Sequence, residues 1–352
     1  MRVFHCDHCQ QLVFFENIRC VSCDHALAYL PDLGVVASLD PAADGLWTSP
    51  FPQARGRHYR LCANYVPENV CNWAIAADDT NPLCASCRLT RVIPDLSRPG
   101  FKEAWYKLEV AKRRLVYSLL QLGCPVTAKS GPNDDGGLAF EFLSDSGTPA
   151  GTRVITGHDN GLITLDIAEA DDSERERRRL ELHEPYRTLL GHFRHEVGHY
   201  YWARLIDGGP RIESFRALFG DERADYAQSL RDHYWQGPPP DWQQRFVSAY
   251  ASSHPWEDWA ETWAHYLHMT DALETAVACG LSLRPGRTDE PSLRFNGSTA
   301  GAFEQLIEGW FPLTYALNNL NRGLGLPDPY PFVLSAAAID KLRFVHDTIL
   351  SA

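Results

Sequence analysis

Cysteine spacing constrains this chain more than any other feature. Eight of its ten cysteines lie before residue 88. Cys6-x2-Cys9 and Cys20-x2-Cys23 present four thiolates from two tight turns, the arrangement that closes around one tetrahedral Zn²⁺. Cys62, Cys71 and the Cys84-x2-Cys87 knuckle supply a second set of four. Full sets leave no coordination position open, so two structural zinc ions are expected to hold the fold rather than catalyse. His5, His8 and His25 stand beside the knuckles and could replace a cysteine, but both sets are complete without them. Thioredoxin-like redox chemistry needs a βαβ context that is absent here. Cys124 and Cys279 read as small buried apolar residues.

The cysteine-rich, turn-rich composition ends near Ile93-Pro94-Asp95-Leu96, which divides the chain into residues 1–95 and 96–352. Apolar residues from Trp105 to Leu122 recur at helical spacing until Gly123 and Pro125 stop them, so a helix is expected over Lys102–Leu122. Leu138–Leu143, Val154–Thr156 and Leu162–Leu165 read as strands, with Asp159-Asn160-Gly161 as a hairpin turn. Helices follow, at roughly Tyr186–Ile206, Asp221–Tyr234, Trp242–Ala251, Trp256–Cys279, Ala302–Leu320 and Ala336–Leu350. The expected fold class is α+β: a zinc-ribbon-like domain with two four-cysteine sites, then a mainly helical domain with a small antiparallel sheet.

The formal net charge of −12 opposes a polyanionic partner, because nucleic-acid binding depends on Lys and Arg neutralising phosphates. The run Glu174–Arg179 interleaves acids with bases and reads as a solvated helix face. MRVFHCDHCQ lacks the apolar core of a signal peptide, and no stretch approaches the roughly 18 apolar residues of a membrane span. With reduced thiols, these features point to the cytoplasm and away from membranes. Oligomeric state has no signature.

The chemistry concentrates at His195-Glu196-Val197-Gly198-His199. Residues i and i+4 of a helix lie one above the other, so His195 and His199 can grip one metal with Glu196 beside it. Zinc held this way acidifies a water, and a nearby carboxylate can take its proton during attack on a carbonyl. Leu205 stands where a metzincin has its third histidine, so the third ligand must come from elsewhere. Glu257 is the leading candidate, with Glu261 and Glu222 as alternatives. Glu257 and Glu261 are an i, i+4 pair after Pro255; one can reach the metal while the other fixes a ligand histidine through its second ring nitrogen. Tyr250 and His265 are candidate donors to the oxyanion of the attacked carbonyl. The segment from Gly161 to Leu165 is a candidate edge for an extended peptide.

These segments resemble a bacterial family of zinc-binding metallopeptidases with an amino-terminal zinc ribbon. The resemblance is carried by the paired knuckles, Cys62-Ala63-Asn64-Tyr65, Cys71-Asn72-Trp73, Cys84-Ala85-Ser86-Cys87, HEVGHYYW from His195, GDERADY from Gly220 and HPWEDWAETWAHYLH from His254. It implies a gluzincin-like zincin in which Glu257 is the third ligand of a catalytic zinc, Glu261 supports a ligand, and Tyr250 points at the site. Glu196 would be the general base and a peptide or protein the substrate. The competing expectation is a zinc-ribbon adaptor whose HEVGH segment holds a metal without proteolysis.

Overall fold

The two amino-terminal knuckles fold by one local rule in the computed structural model, which describes residues 1–131, 133–145, 153–181, 188–293 and 303–352. In the first, Gln10 takes φ 61° and donates its backbone N–H to the Cys6 carbonyl at 2.8 Å. In the second, Asp24 takes φ 60° and donates to Cys20 at 2.9 Å. A left-handed residue after each second cysteine turns the chain sharply enough to aim both sulfurs inward, at the steric cost of placing a side chain there. The short strands β1 (Phe4–His5) and β2 (Leu12–Val13) pair antiparallel around the first knuckle.

The chain divides into two compact units, Arg2–Asp171 and Asp172–Ala352, with Met1 belonging to the second. In the first unit, β3 (Ala26–Leu30), β4 (Val35–Pro41), β5 (Trp47–Thr48), β6 (Tyr59–Leu61) and β7 (Ala74–Ala76) form an antiparallel sheet in that order. Phe15, Tyr29, Trp73 and Tyr117 pack edge-on or tilted against one another in its core. Such ring arrangements satisfy the aromatic quadrupoles while burying large apolar areas.

The second sheet of this unit differs from the expected small antiparallel one. Its order is β10 (Gly157–Asp159), β11 (Leu162–Asp166), β9 (Ala139–Leu143), β8 (Thr90–Val92). Only β10 and β11 are antiparallel, joined by the expected turn, where Asn160 and Gly161 take φ 45° and 80°. β11–β9 and β9–β8 are parallel. Alternation of apolar residues marks which face of a strand is buried but carries no information on direction. Val154–Thr156 forms no strand; pairing begins at Gly157. β8 lies before residue 95 and β9 well after it, so the composition boundary falls inside one spatial unit. β11 is flanked on both sides and so offers no edge to a peptide, which overturns that expectation. Helix α1 (Phe101–Gln121) completes the unit, burying Trp105, Leu108, Leu115 and Leu119.

The named elements of the second unit are helices: α2 (Asp172–Glu181), α3 (Leu189–Leu205), α4 (Ile212–Phe219), α5 (Tyr226–Gln236), α6 (Trp242–Arg245), α7 (Pro255–Ala278), α8 (Phe303–Gly323) and α9 (Ala336–Leu350). The expected starts at Tyr186 and Ala302 lie outside the described residues. Caps set several starts. Thr188 accepts from Gly191 N–H at 3.0 Å, and Asp225 accepts from Gln228 N–H at 2.9 Å, moving α5 later than Asp221. At α7, the His254 ring accepts from Trp256 N–H at 3.1 Å with Pro255 at the first helical position. The helix expected over Trp242–Ala251 breaks after Arg245 into a loop and a short 3-10 turn at Tyr250–Ser252. In α2, Arg175–Asp172 and Arg177–Glu174 pair, with Glu176 and Arg177 exposed; the side chains of residues 178 and 179, in the run expected as a solvated face, lie outside the described residues. Cys124 is buried, but Cys279 is exposed where α7 ends, a correction to its apolar reading.

Candidate metal centres

Helices α3 and α7 cross at their small residues. A Cβ on Gly198 would lie 3.0 Å from the Ala260 Cα, so glycine is what permits the approach. Trp259 Nε1 donates to the Gly198 carbonyl at 2.8 Å and ties the crossing together. Gly198 lies three residues after His195, and Ala260 three after Glu257. The crossing therefore sets one i, i+4 pair against the other.

The result is a cluster of His195, His199 and Glu257, whose candidate ligand atoms all lie within 4.8 Å of one another. His195 Nε2 is 3.0 Å from Glu257 Oε2, and His199 Nε2 is 3.6 Å from Glu257 Oε1. Glu261 Oε1 stands 2.8 Å from His195 Nδ1, and its other oxygen accepts from Ser248 Oγ at 2.6 Å. Glu257 is buried, whereas both histidines keep part of their side chains exposed. Two imidazoles and one carboxylate with a solvent-facing side match the donor set of an open zinc site, three protein ligands plus one free position. Glu257 Oε2 has no hydrogen-bond partner of good geometry despite its burial, as suits an atom shaped for a metal rather than a proton. The residues fit zinc.

The electrostatics are tightly coupled. Burial alone would keep His195 neutral, but Glu257 and Glu261 outweigh it and push its pKa well above the ordinary value. Burial opposes ionisation of Glu257 too, yet His199 and His195 hold it well below the usual carboxylate range. For Glu261, burial is again overcome, chiefly by the hydrogen bond to His195. A dication would take over the compensation that protons supply among these groups.

The other expected residues divide. The Tyr250 ring lies 6.0 Å from that of His195, and burial followed by the Glu257 charge raises its pKa well above the ordinary phenol value. Glu196 is half-buried on α3 between the two histidines. Glu222 is not in the cluster; Arg216 engages it at 3.0 Å from α4. His265 is likewise not brought to it. Its Nδ1 lies 2.8 Å from the Tyr330 hydroxyl and its ring packs on Phe332. Burial drives its pKa down to about 4. Two turns separate His265 from Glu257 along α7, so it lies beyond Glu261.

The cysteines gather as two groups of four, Cys6/Cys9/Cys20/Cys23 and Cys62/Cys71/Cys84/Cys87, each with sulfurs within 4.8 Å. No disulfide forms among them. Sulfurs sit 3.5 Å apart for Cys6–Cys23 and Cys9–Cys20, and 3.7 Å for Cys71–Cys84. Four ligands about 2.3 Å from a tetrahedral zinc stand roughly 3.8 Å apart, so both groups fit the ion. In the second, backbone N–H groups of Trp73, Cys84 and Cys87 point at sulfur at 3.4 Å, a pattern that stabilises thiolates.

Comparison with known proteins gives a family. A model described as "Putative zinc-binding metallo-peptidase" matches residues 101–348, and one for a zinc-ribbon domain matches residues 3–98. The chain belongs to this metallopeptidase family. Uncharacterized proteins of Mycobacterium bovis and of two Mycobacterium tuberculosis strains are 46% identical over 351 residues, covering 99% of this chain and 95% of theirs. No solved structure matches. As a family member, the chain is a zinc-binding protein of the hydrolase class with an amino-terminal zinc ribbon. Among its described residues no helix is long and apolar enough to cross a membrane.

Two neighbours of the cluster were not legible in the sequence. Tyr226, the last residue of GDERADY, donates its hydroxyl to Glu257 Oε1 at 2.7 Å. Ser248 orients Glu261 as described above. Neither shares a helical period with its partner, so only a motif-level signal around Gly220 could have drawn attention to Tyr226.

Proposed function

We propose that this metallopeptidase hydrolyses peptide bonds at His195, His199 and Glu257, with one catalytic zinc there and two structural zincs in the cysteine groups. The observation that carries the reading is the bracketing of His195, with Glu261 at Nδ1 and Glu257 beside Nε2. A carboxylate on Nδ1 fixes the tautomer that offers Nε2 as a lone-pair donor. When bound, zinc supplies a Lewis acid that acidifies water and polarises a carbonyl.

The chain's own residues do the rest. Glu196 accepts the proton of the attacking water and returns it to the leaving amine. Tyr250 and Tyr226 stay protonated at neutral pH, because burial and the neighbouring Glu257 charge both oppose phenolate. Tyr250 is therefore an O–H donor available to the oxyanion of the attacked carbonyl, while Tyr226 gives its O–H to Glu257. Glu261 and Ser248 position His195. Residues 1–95 serve as the zinc-bearing scaffold and residues 96–352 carry the chemistry. The substrate is a peptide or protein, the setting is cytoplasmic, and neither nucleic acid nor membrane is a partner.

Glu196→Gln tests this directly. The variant should retain the wild-type zinc content and lose at least about 10²-fold in hydrolysis of a fluorogenic peptide library. Equal activity in both proteins, or none in either on any library, would favour the adaptor reading.

A further inference from the structure

His8, His25 and Asp40 form another group whose ligand atoms lie within 4.8 Å of one another, outside both cysteine sets. His8 belongs to the first knuckle, His25 follows the second, and Asp40 lies near the end of β4. Their sequence separations give no hint of the convergence. The two imidazoles stack with ring centroids 3.5 Å apart and planes 16° apart, so one ring must turn out of the stack for both lone pairs to meet a single ion, and His8 Nε2 lies 3.0 Å from Asp40 Oδ1. His8 is exposed, and the other two are half-buried.

We propose that His8, His25 and Asp40 bind a further divalent transition-metal ion at the surface of the zinc ribbon. The donor set is borderline in character, two imidazole nitrogens and one carboxylate oxygen, which selects Zn²⁺, Co²⁺, Ni²⁺ or Cu²⁺ over Ca²⁺ and Mg²⁺. Donor atoms about 2.0–2.1 Å from a tetrahedral ion stand roughly 3.3 Å apart. The His8–Asp40 separation is close to that, and equals the 3.0 Å between His195 Nε2 and Glu257 Oε2.

Two features of the ribbon favour an ion here. His25 Nδ1 lies 3.2 Å from Cys23 Sγ. An Nδ1–H donated to that thiolate would leave Nε2 with the lone pair that a metal needs. Four thiolates around one Zn²⁺ also leave the adjacent site with a net charge of about −2, which attracts a second cation at short range. Three ligands and exposure to solvent leave at least one position open, so the bound ion should exchange faster than those in the cysteine groups.

Full-length, zinc-loaded protein dialysed to remove loosely held metal provides the test, with Co²⁺ as the probe and equilibrium dialysis and visible absorption as readouts. Wild type should take up one molar equivalent more than His8→Asn or Asp40→Asn, with cobalt bands that lack sulfur charge transfer. All three proteins should keep the same retained zinc. The difference between proteins carries the result, so it is independent of whether the His195 site is loaded or hydrolytic. Equal cobalt uptake by wild type and both variants, or no uptake by wild type beyond its retained zinc, overturns the proposal. Should His8→Asn disturb the knuckle and release zinc, Asp40→Asn decides alone, since Asp40 pairs with Thr48 through its backbone.

Discussion

The Cys62/Cys71/Cys84/Cys87 group and the His195/His199/Glu257 group are built on opposite principles. All four cysteines are buried, and backbone N–H groups point at their sulfurs. The second group buries one carboxylate completely and leaves both imidazoles partly open. A closed set of four thiolates satisfies an ion and offers nothing further to a ligand. Three mixed donors held by a supporting carboxylate leave room for chemistry. One centre is held in place by loops and short strands, beside the aromatic core around Trp73. The other is held by two long helices whose packing rests on Gly198, Ala260, Trp259 and Trp263. Metal should accordingly be a folding requirement at the first and a functional one at the second.

Removing a ligand from the closed centre should have the largest effect. Structural zinc contributes on the order of 10 kcal/mol in small zinc-dependent folds. Cys84→Ser is expected to abolish the cooperative melt of the cysteine-rich unit, whereas His199→Ala should leave the thermal transitions near those of wild type. Equal destabilisation by the two substitutions, read by calorimetry, would erase the contrast.

Next comes the helix crossing. Gly198→Val places a branched side chain against the Ala260 backbone, and overpacking of this kind costs about 1–3 kcal/mol. Chemical denaturation should report that loss, with a fall in hydrolysis as the two i, i+4 pairs move apart. A fully stable and active variant would mean that the crossing is looser than the 3.0 Å approach implies.

Glu261→Gln tests the support behind His195. Loss of such a carboxylate typically weakens metal affinity about 10–100-fold. Competition with a chelator should show that loss at this centre alone, with both cysteine groups still loaded. Unchanged affinity would make the 2.8 Å contact incidental.

The smallest effect appears only in acid. Burial lowers the His265 pKa to about 4 from 6.5, so between those values the unfolded chain binds a proton that the folded one refuses. The stability tied to neutral His265 is thus complete above about pH 6.5 and is lost as pH falls toward 4. His265→Gln should flatten the acid side of the stability profile and change nothing of that dependence at neutral pH. An unaltered slope from pH 6.5 to 4 would show that His265 is not held neutral.

Much of both centres could be read from local spacing. CxxC places two sulfurs on one turn, and His-x3-His and Glu-x3-Glu each place two groups on one helix face, because turn and helix geometry are fixed within a few residues. The same logic located α1, α7, α9 and the hairpin turn at Asn160-Gly161. Only the tertiary structure decided that Glu257 rather than Glu222 stands beside the histidines. It also brought Tyr226 and Ser248 to the cluster and turned His265 toward Tyr330. Likewise, it set β9 parallel to β11 and gathered His8, His25 and Asp40 at one surface. Each of these depends on segments meeting across tens of residues, where periodicity reports which face is buried but not what it meets. That choice falls to packing, here above all to the absent side chain of Gly198 against Ala260.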